Sequence, residues 1–295
     1  MATLRELKGR IGSVSSSEKI TGAMKMISSA KMHKAEMALR RLVPYRNQIQ
    51  SVIGHLLSAD GEYSSPLIEI REVKKIAMVV FGSDDGLCGA YNIQVFKNML
   101  ITIAELRTKY GDNVELDIYP VGNKIIKATS KIADKSTNLI VDKTMNTRST
   151  LDEVRMFTDG LKNNFISGKV DKVIVLYNHF KSASKQYIQL DTLLPVSYHD
   201  LVAGATSSVT NKPCLFEPDA NTIFNSVLPL YILSVMQEVV AENNASEQAA
   251  RVMAMQSAND NAKNLLEDLR LVYNNLRQQS ITTELLDILG GQTDR

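Results

Sequence analysis

The chain has 295 residues, of which 44% are hydrophobic, and a net charge of +2. This length and hydrophobic content allow a sizeable core and more than one structural unit. Its two cysteines, Cys88 and Cys214, exclude a disulfide framework and favour a reduced, intracellular protein. The N-terminus carries Glu6 and no apolar core, which predicts neither a signal nor a transit peptide. The closest approach to a membrane span, VLPLYILSVM, is too short to cross a bilayer.

The N-terminal segment predicts a long amphipathic helix, with Pro44 as its one interruption or kink. Three glycines within it, Gly9, Gly12 and Gly22, should each weaken the helix by about 1 kcal/mol relative to alanine. We interpret them as places where a partner helix approaches closely. The apolar positions that define the helix are Leu4, Leu7, Ile11, Val14, Ile20, Met24, Ile27, Ala30, Met37, Leu42, Ile49, Val52 and Leu56.

A turn-rich linker, Ala59–Pro66, separates this helix from strand-like runs that alternate with helical stretches. Strands that alternate with helices predict a compact α/β domain with a largely parallel sheet. The strand-like runs are Lys75–Phe81, Val114–Val121, Val173–Tyr177 and Tyr187–Leu194, and the helical stretches lie near Tyr91–Lys109, Lys124–Ser130 and Thr150–Asn164. The polar segment Thr206–Lys212 is predicted to be a loop.

The loop Phe81–Asn92, FGSDDGLCGAYN, follows a buried strand and precedes a helix. That position often holds a phosphate, and Asp84 and Asp85 could hold Mg²⁺. The loop matches neither GxGxxG nor GxxxxGK[ST], so a turn with a helix cap is the favoured interpretation and a nucleotide site is the alternative. Cys88 has no histidine pattern beside it, which favours a small buried residue over a nucleophile.

Catalytic groups are not recognisable elsewhere in the sequence. The four histidines are scattered without metal-ligand spacing, and no acid–base pair or triad pattern occurs. The sequence therefore predicts a protein that is not an enzyme and has no cofactor or metal site.

The C-terminal segment Leu230–Leu289 contains no proline or glycine and predicts one helix of roughly 90 Å at about 1.5 Å per residue. Gly290 and Gly291 are expected to end it. One stripe of this helix steps forward mostly by threes and fours, as in the seam of a coiled coil. The stripe consists of Ala245, Ala249, Val252, Met255, Asn259, Ala262, Leu266, Leu269, Tyr273 and Leu276.

The charges of the two ends are opposite. Residues 1–50 carry ten basic and three acidic side chains, whereas residues 217–289 carry ten acidic and four basic ones. This pattern favours helices that lie side by side, although two independently solvated helices are an alternative. The predicted fold is thus a long antiparallel coiled coil of N- and C-terminal helices with an inserted Rossmann-like α/β domain. Its predicted parts are residues 1–58, 67–212 and 213–295.

With both ends and the middle loop in view, the sequence resembles the gamma subunits of rotary, F-type ATP synthases over essentially its whole length. The matching stretches are LRELKGRIGSVSSSEKITGAMKMISSAKMHKAE, SDDGLCGAYN, LFEPD, SEQAARVMAMQSANDNAKNLLEDL and ITTELLDILGG. Asp85 departs from the pattern, because the family usually has arginine there. The absence of the extra insertion of the chloroplast version favours a bacterial source.

The resemblance implies a non-catalytic central-stalk rotor of a proton-translocating ATP synthase, peripheral on the cytoplasmic side of the bacterial inner membrane. Its implied partners are a ring of alpha and beta subunits, the epsilon subunit and the membrane c-ring. By motif position, the residues implied to contact partners or to align the helices are Arg10, Lys19, Met24, Lys25, Arg251, Gln278, Thr282 and Glu284. Seam packing is the alternative for Met24. A non-rotary coiled-coil scaffold or a basic nucleic-acid-binding adaptor is the alternative function.

Overall fold

The computed structural model describes residues 3–57, 63–131, 137–142, 144–198, 201 and 216–291. The chain divides into two compact units. The helical unit comprises residues 1–29 and 251–295, and the α/β unit comprises residues 30–250. Cys214, the loop 206–212 and the first half of the linker 59–66 lie outside the described residues. The predicted division into 1–58, 67–212 and 213–295 stays a prediction.

The α/β unit contains one five-stranded sheet in the order β3-β2-β1-β4-β5. The first four of these strands are parallel, and β4 and β5 form an antiparallel pair. The elements along the chain are α1 (Leu4–Leu57), β1 (Lys75–Phe81), α2 (Tyr91–Tyr110), β2 (Glu115–Val121), α3 (Asn123–Thr129), β3 (Thr137–Leu139), α4 (Leu151–Ile166), β4 (Lys172–Ser182), β5 (Lys185–Leu194) and α5 (Ala220–Gly291). The mixed sheet and the long terminal helices confirm the predicted fold class.

The central strand β1 is buried on both faces, as its uninterrupted apolar sequence requires. Ile76, Met78 and Val80 pack with α2 in one hydrophobic core. Ala77 and Val79 face the opposite way, into a core that α4 and parts of α1 and α5 complete. This alternation follows from the two-residue period of a strand, and it places α1 and α5 against the same sheet face.

Within the α/β unit, α1 and α5 run antiparallel. Gln50 Nε2 donates to the Tyr231 hydroxyl, and Leu39, nearer the chain start, packs with Ala241 and Ala245. Advancing along α1 therefore corresponds to moving back along α5. α1 continues through Pro44, where the sequence predicted an interruption or kink.

The helix α5 begins at Ala220, ten residues before the predicted start, and includes Pro229. One window of it is long and apolar enough to cross a membrane by length and composition, but half of that window is buried inside the protein. Leu228, Ile232 and Met236 belong to the core on the α1 side of the sheet. We therefore interpret this stretch as a core helix.

The predicted seam of α5 is confirmed. Each of its ten positions is buried or half-buried, while neighbours such as Met253 and Leu265 are exposed. In the helical unit, Asn259 of this seam contacts α1 through the Glu18 carbonyl and the Thr21 hydroxyl.

The predicted apolar face of α1 is correct at Met24, Leu42, Ile49 and Leu56, which are buried or half-buried, but it is wrong in the stretch from Ile20 to Ala30 apart from Met24. Ile20, Ile27 and Ala30 are exposed. Between residues 18 and 30, the less exposed positions are Glu18, Thr21, Gly22, Met24, Lys25 and Ser28. Glu18, Thr21, Lys25 and Ser28 recur at intervals of three or four residues, so α1 keeps its helical period while its inner face becomes largely polar.

The close approach predicted at three glycines occurs at one of them. A Cβ at Gly22 would lie 3.3 Å from Asn259 Nδ2, whereas a Cβ at Gly9 or Gly12 would meet nothing within 4 Å. Only at Gly22 does the missing side chain make room for a partner helix.

Candidate functional site

The helical unit exposes apolar side chains on α1. Ile20, Met26 and Ile27 are 59%, 73% and 56% exposed, respectively. Ile20 and Ile27 are seven residues apart and lie on the same side of the helix. We name Ile20, Met26 and Ile27 the α1 apolar face. Exposed apolar side chains grouped in this way are typical of a surface that another protein covers.

Three of the predicted contact residues of α1, Lys19, Met24 and Lys25, lie within or directly beside the stretch of this face, whereas Arg10 lies almost three helical turns nearer the N-terminus. Met24 and Lys25 are half-buried, and Arg10 and Lys19 are exposed. Within the described part of the chain, neither Arg10 nor Lys19 forms an ion pair. Their charges are therefore available to a partner, and their assignment as contact residues stays a prediction.

Three of the predicted contact residues of α5 are close together and exposed. Gln278, Thr282 and Glu284 occupy the last turns of the helix. The Thr282 hydroxyl donates to the Gln278 carbonyl at 2.9 Å, which fixes the threonine side chain against its own helix. Arg251 differs, because it is only 7% exposed. The structure places it inside the fold, so the prediction that it meets a partner has no support from its exposure.

The same end of α5 exposes a further set of large apolar side chains that the sequence analysis did not assign to a site. They are Leu271, Val272, Ile281, Leu285, Leu286, Ile288 and Leu289. The sequence shows these residues as apolar positions outside the seam, but the sequence analysis considered only the seam of this helix.

Inside the helical unit, a polar contact fixes the two helices. Asn259 Nδ2 donates to the Glu18 carbonyl at 2.7 Å and lies 3.3 Å from Thr21 Oγ1. Thr21 in turn donates to the carbonyls of Ser17 and Glu18. A buried asparagine in a coiled-coil seam sets the register, since a shifted pairing would leave its amide without a partner.

In the α/β unit, buried polar side chains of α5 join that helix to the sheet. Asn243 Nδ2 donates to the Gly82 carbonyl at 3.0 Å, and its Oδ1 accepts from the Tyr91 hydroxyl at 2.6 Å. Ser246 Oγ donates to the Asn178 carbonyl at 2.9 Å. The sequence analysis missed this joint. Its signal is the polar run ENNASEQ, residues 242–248, inside an otherwise apolar stretch of helix.

Four ionisable side chains continue the joint toward α1. Arg46 Nη1 lies 2.8 Å from Glu238 Oε2, and His179 Nδ1 lies 2.8 Å from Glu242 Oε2. Burial raises the pKa of both carboxyl groups, to about 8 for Glu242. Burial lowers the pKa of His179. The ion pair between Arg46 of α1 and Glu238 of α5 is one instance of the charge complementarity that was expected between the two helices.

The loop after β1 holds neighbouring segments together. Asp84 accepts from the backbone amides of Asn123, at the start of α3, and Thr147, and from the Thr147 hydroxyl. Asp85 pairs with Arg148. The loop was expected to cap the helix that follows it, and this expectation is wrong; Asp84 instead accepts from the first backbone amide of α3. Helix α2 begins after Ala90 without a side-chain cap.

The nucleotide alternative at this loop loses support. The adjoining cleft of about 630 Å³ is lined by the carboxylates of Asp84, Asp85, Asp142 and Glu153. Arg148 on the same cleft already pairs with Asp85. A surface with this excess of negative charge repels phosphate.

Cys88 is buried, and its sulfur lies beside Ser83 and Asn92. This environment agrees with its interpretation as a small interior residue. Across the residues for which positions are given, no group of three or more histidine, cysteine, aspartate or glutamate side chains is arranged to hold a metal ion.

Known proteins match this chain over nearly its whole length. A family model described as ATP synthase matches residues 3–293. The ATP synthase gamma chain of Phocaeicola vulgatus is 40% identical over 293 residues, which span 99% of both chains. The corresponding gamma chains of Bacteroides thetaiotaomicron and Methylobacillus flagellatus are 38% and 34% identical, again over 99% of both chains.

Solved structures show the same fold at lower identity. A chain in the Euglena gracilis mitochondrial ATP synthase, in an assembly of OSCP, F1 and c-ring, aligns with a TM-score of 0.63 and 19% identity. The alignment covers 98% of this chain and 93% of that one. A chain of the Tetrahymena thermophila central stalk and c-ring aligns with a TM-score of 0.53 and 22% identity over 81% and 99% of the two chains.

Proposed function

The chain belongs to the ATP synthase gamma chain family, and we propose that it is the central-stalk rotor of a proton-translocating ATP synthase. The observation that carries this proposal is full-length identity of up to 40% to curated gamma chains among the relatives described above. The exposed apolar side chains of the helical unit support it independently, because a shaft inside a ring of subunits needs an outer surface that the ring can contact.

The rotor has no catalytic site in this proposal. Its partners are a ring of alpha and beta subunits, in which the beta subunits carry out catalysis, together with the epsilon subunit and the membrane c-ring. The chain is then part of a membrane-associated complex, peripheral on the cytoplasmic side of a bacterial inner membrane.

The mechanism rests on differential contact. Rotation can change the state of a catalytic subunit only if the shaft contacts that subunit differently in each of its conformations. The helical unit meets this requirement, because its two helices are chemically unlike. Its α1 segment, residues 4–29, carries five basic and two acidic side chains, and its α5 segment, residues 251–291, carries four basic and five acidic ones.

The contact residues would act at two levels. On α1, the α1 apolar face and the neighbouring Met24 and Lys25 would meet the beta subunits, with Arg10 and Lys19 able to attract acidic groups. On α5, Gln278, Thr282 and Glu284 would present polar groups among exposed apolar ones. A contact that favours one rotational state over another by about 1.4 kcal/mol changes the ratio of their populations tenfold.

The alternative functions find no support. A scaffold or nucleic-acid adaptor would not require full-length similarity to gamma chains. Moreover, α1 between residues 4 and 57 has one aromatic side chain, Tyr45, which leaves little surface for base stacking.

Affinity capture tests the proposal. The tagged full-length chain, expressed in cells that contain the other subunits and treated with nuclease, should retain alpha, beta and epsilon in stoichiometric amounts. Retention of nucleic acid without these subunits would contradict the rotor function and favour the adaptor. A matched control is the chain with Ser16→Ala, which alters an exposed residue of α1 and should retain the same subunits.

A further inference from the structure

The joint between α5 and the sheet brings three carboxyl groups close to one arginine. Glu238 and Glu242 lie one helical turn apart on α5, and their side chains are 10% and 8% exposed. Asp191 on β5 adds a third carboxylate, which accepts from the Tyr177 hydroxyl at 2.8 Å. Arg46 on α1 is the permanent cation in contact with this group, and it lies against Glu238. We name Arg46, Tyr177, His179, Asp191, Glu238 and Glu242 the acid cluster.

All four elements packed around Glu242 contribute to its environment. Helix α1 contributes Arg46, α5 contributes Glu238, and β5 contributes Asp191 and Tyr187, whose ring lies 4.7 Å from that of His179. Strand β4 contributes Tyr177, His179 and Lys181, the last of which acts on His179. Because Arg46 compensates one carboxylate, a second buried carboxylate at Glu242 would lack a full counter-charge.

We propose that Glu242 and His179 form a proton-controlled latch that fastens α5 to β4 while the Glu242 carboxyl group is protonated and loosens when that group ionises. The 2.8 Å contact between Glu242 Oε2 and His179 Nδ1 is a hydrogen bond only if a proton lies between the two atoms. When Glu242 ionises, the neutral imidazole can still donate from Nδ1 if it changes tautomer, but the new carboxylate is buried beside Glu238 and Asp191, which repel its charge.

The direction of the pH effect follows from the two pKa shifts. The pKa of Glu242 is raised to about 8, first by burial and then by Glu238, from an ordinary value of 4.5. The folded chain therefore retains a proton that the unfolded chain has lost, and stability falls as pH rises toward 8. The pKa of His179 is lowered from 6.5 by burial, which opposes this trend only below 6.5. The latch thus dominates between pH 6.5 and about 8.

Hydrogen–deuterium exchange of the full-length chain tests the latch. The measured quantity is the protection factor of amides in β4 and β5, corrected for the intrinsic pH dependence of exchange. One linked proton changes an equilibrium by at most about tenfold per pH unit. We expect protection in the unaltered chain to fall by several-fold, up to that limit, for each unit between pH 6.5 and 8.

Substitutions separate Glu242 from other carboxyl groups. Glu242→Gln keeps the side-chain volume without a titrating group, so its protection should stay constant over the same range. In Glu267→Gln, which alters an exposed glutamate of α5, the protection should fall with pH as it does in the unaltered chain. A constant protection in the unaltered chain, or an equal fall in Glu242→Gln, would overturn the latch.

Infrared spectroscopy provides a second readout that needs no folded variant. The unaltered chain should show the carbonyl band of a protonated carboxylic acid that disappears as pH rises through about 8. A spectrum in which every carboxyl group is already ionised at pH 6.5 would also overturn the latch. The latch does not rest on the rotor function, since both readouts use the isolated chain.

Discussion

Asn259 of α5 donates from its side-chain amide to the backbone carbonyl of Glu18 on α1, at 2.7 Å. The contact lies in the seam of the helical unit, where Asn259 is buried and apolar side chains would pack more favourably. A polar residue at such a position trades stability for a defined register. In a shaft, a defined register keeps each exposed side chain at a fixed angle about the axis.

The first prediction concerns this contact. Asn259→Ala should lower the free energy of unfolding of the helical unit by about 1–2 kcal/mol, because it removes a buried hydrogen bond and leaves a small cavity. Urea unfolding followed by circular dichroism measures the change. Asn264→Ala, at an exposed position of the same helix, is the control and should not destabilise. If both variants unfold at the same urea concentration as the unaltered chain, Asn259 does not fix the helices.

A second prediction compares two glycines of α1. Gly12→Ala should stabilise the helix by roughly 0.5–1 kcal/mol, since alanine favours a helix and its Cβ would meet nothing within 4 Å. Gly22→Ala should gain less or lose stability, because its Cβ would press against Asn259 Nδ2 at 3.3 Å. Adding Asn259→Ala to Gly22→Ala should recover the difference in a double-mutant cycle. Equal gains from the two alanines would contradict the close approach at Gly22.

These results also show how far the sequence was informative. The runs that became β1 and β2 were predicted within one residue, because buried parallel strands are continuous apolar segments between helices. Strand β4 extends five residues beyond its predicted end, and the antiparallel β5 begins two residues before its predicted start. The seam of α5 was equally clear, since each of its positions follows the spacing of a coiled coil. The three-residue strand β3 was missed, because its sequence, Thr-Asn-Leu, is too short to show alternation.

The wrong prediction for the inner face of α1 has a physical cause. Helical spacing identifies which residues share a face but does not tell which face is inside. Ile20 and Ile27 were assigned to the interior because they are apolar, yet the inner positions include Glu18, Thr21, Lys25 and Ser28. A surface that a partner covers can be as apolar as a core, so hydrophobicity alone assigned these exposed isoleucines of α1 to its inside.

A third prediction concerns the α1 apolar face. Ile20→Ser with Ile27→Ser should change the free energy of unfolding of the isolated chain by no more than about 0.5 kcal/mol per site, because both side chains are exposed. In a complex with alpha and beta subunits, each isoleucine that becomes buried would contribute about 1.5–3 kcal/mol. The double variant should therefore assemble more weakly, as measured by the subunit concentration needed for half-maximal complex formation.

A buried residue provides the contrast for this experiment. Leu7→Ser removes an apolar side chain that is already inside the chain, so it should destabilise the isolated protein by a few kcal/mol. If the Ile20 and Ile27 variants unfold as readily as Leu7→Ser, or assemble as tightly as the unaltered chain, these isoleucines are not a partner surface.

The central claim is that this chain rotates within a ring of alpha and beta subunits. The most direct test immobilises that ring and attaches a bead to the chain through Asp112→Cys, an exposed site after α2. Cys214→Ser removes one of the two native thiols, and the other, Cys88, is buried. We predict that ATP drives continuous rotation of the bead in one direction and that rotation stops when ATP is removed. A complex that hydrolyses ATP at the usual rate while the bead stays still, or moves without a preferred direction, would contradict the account.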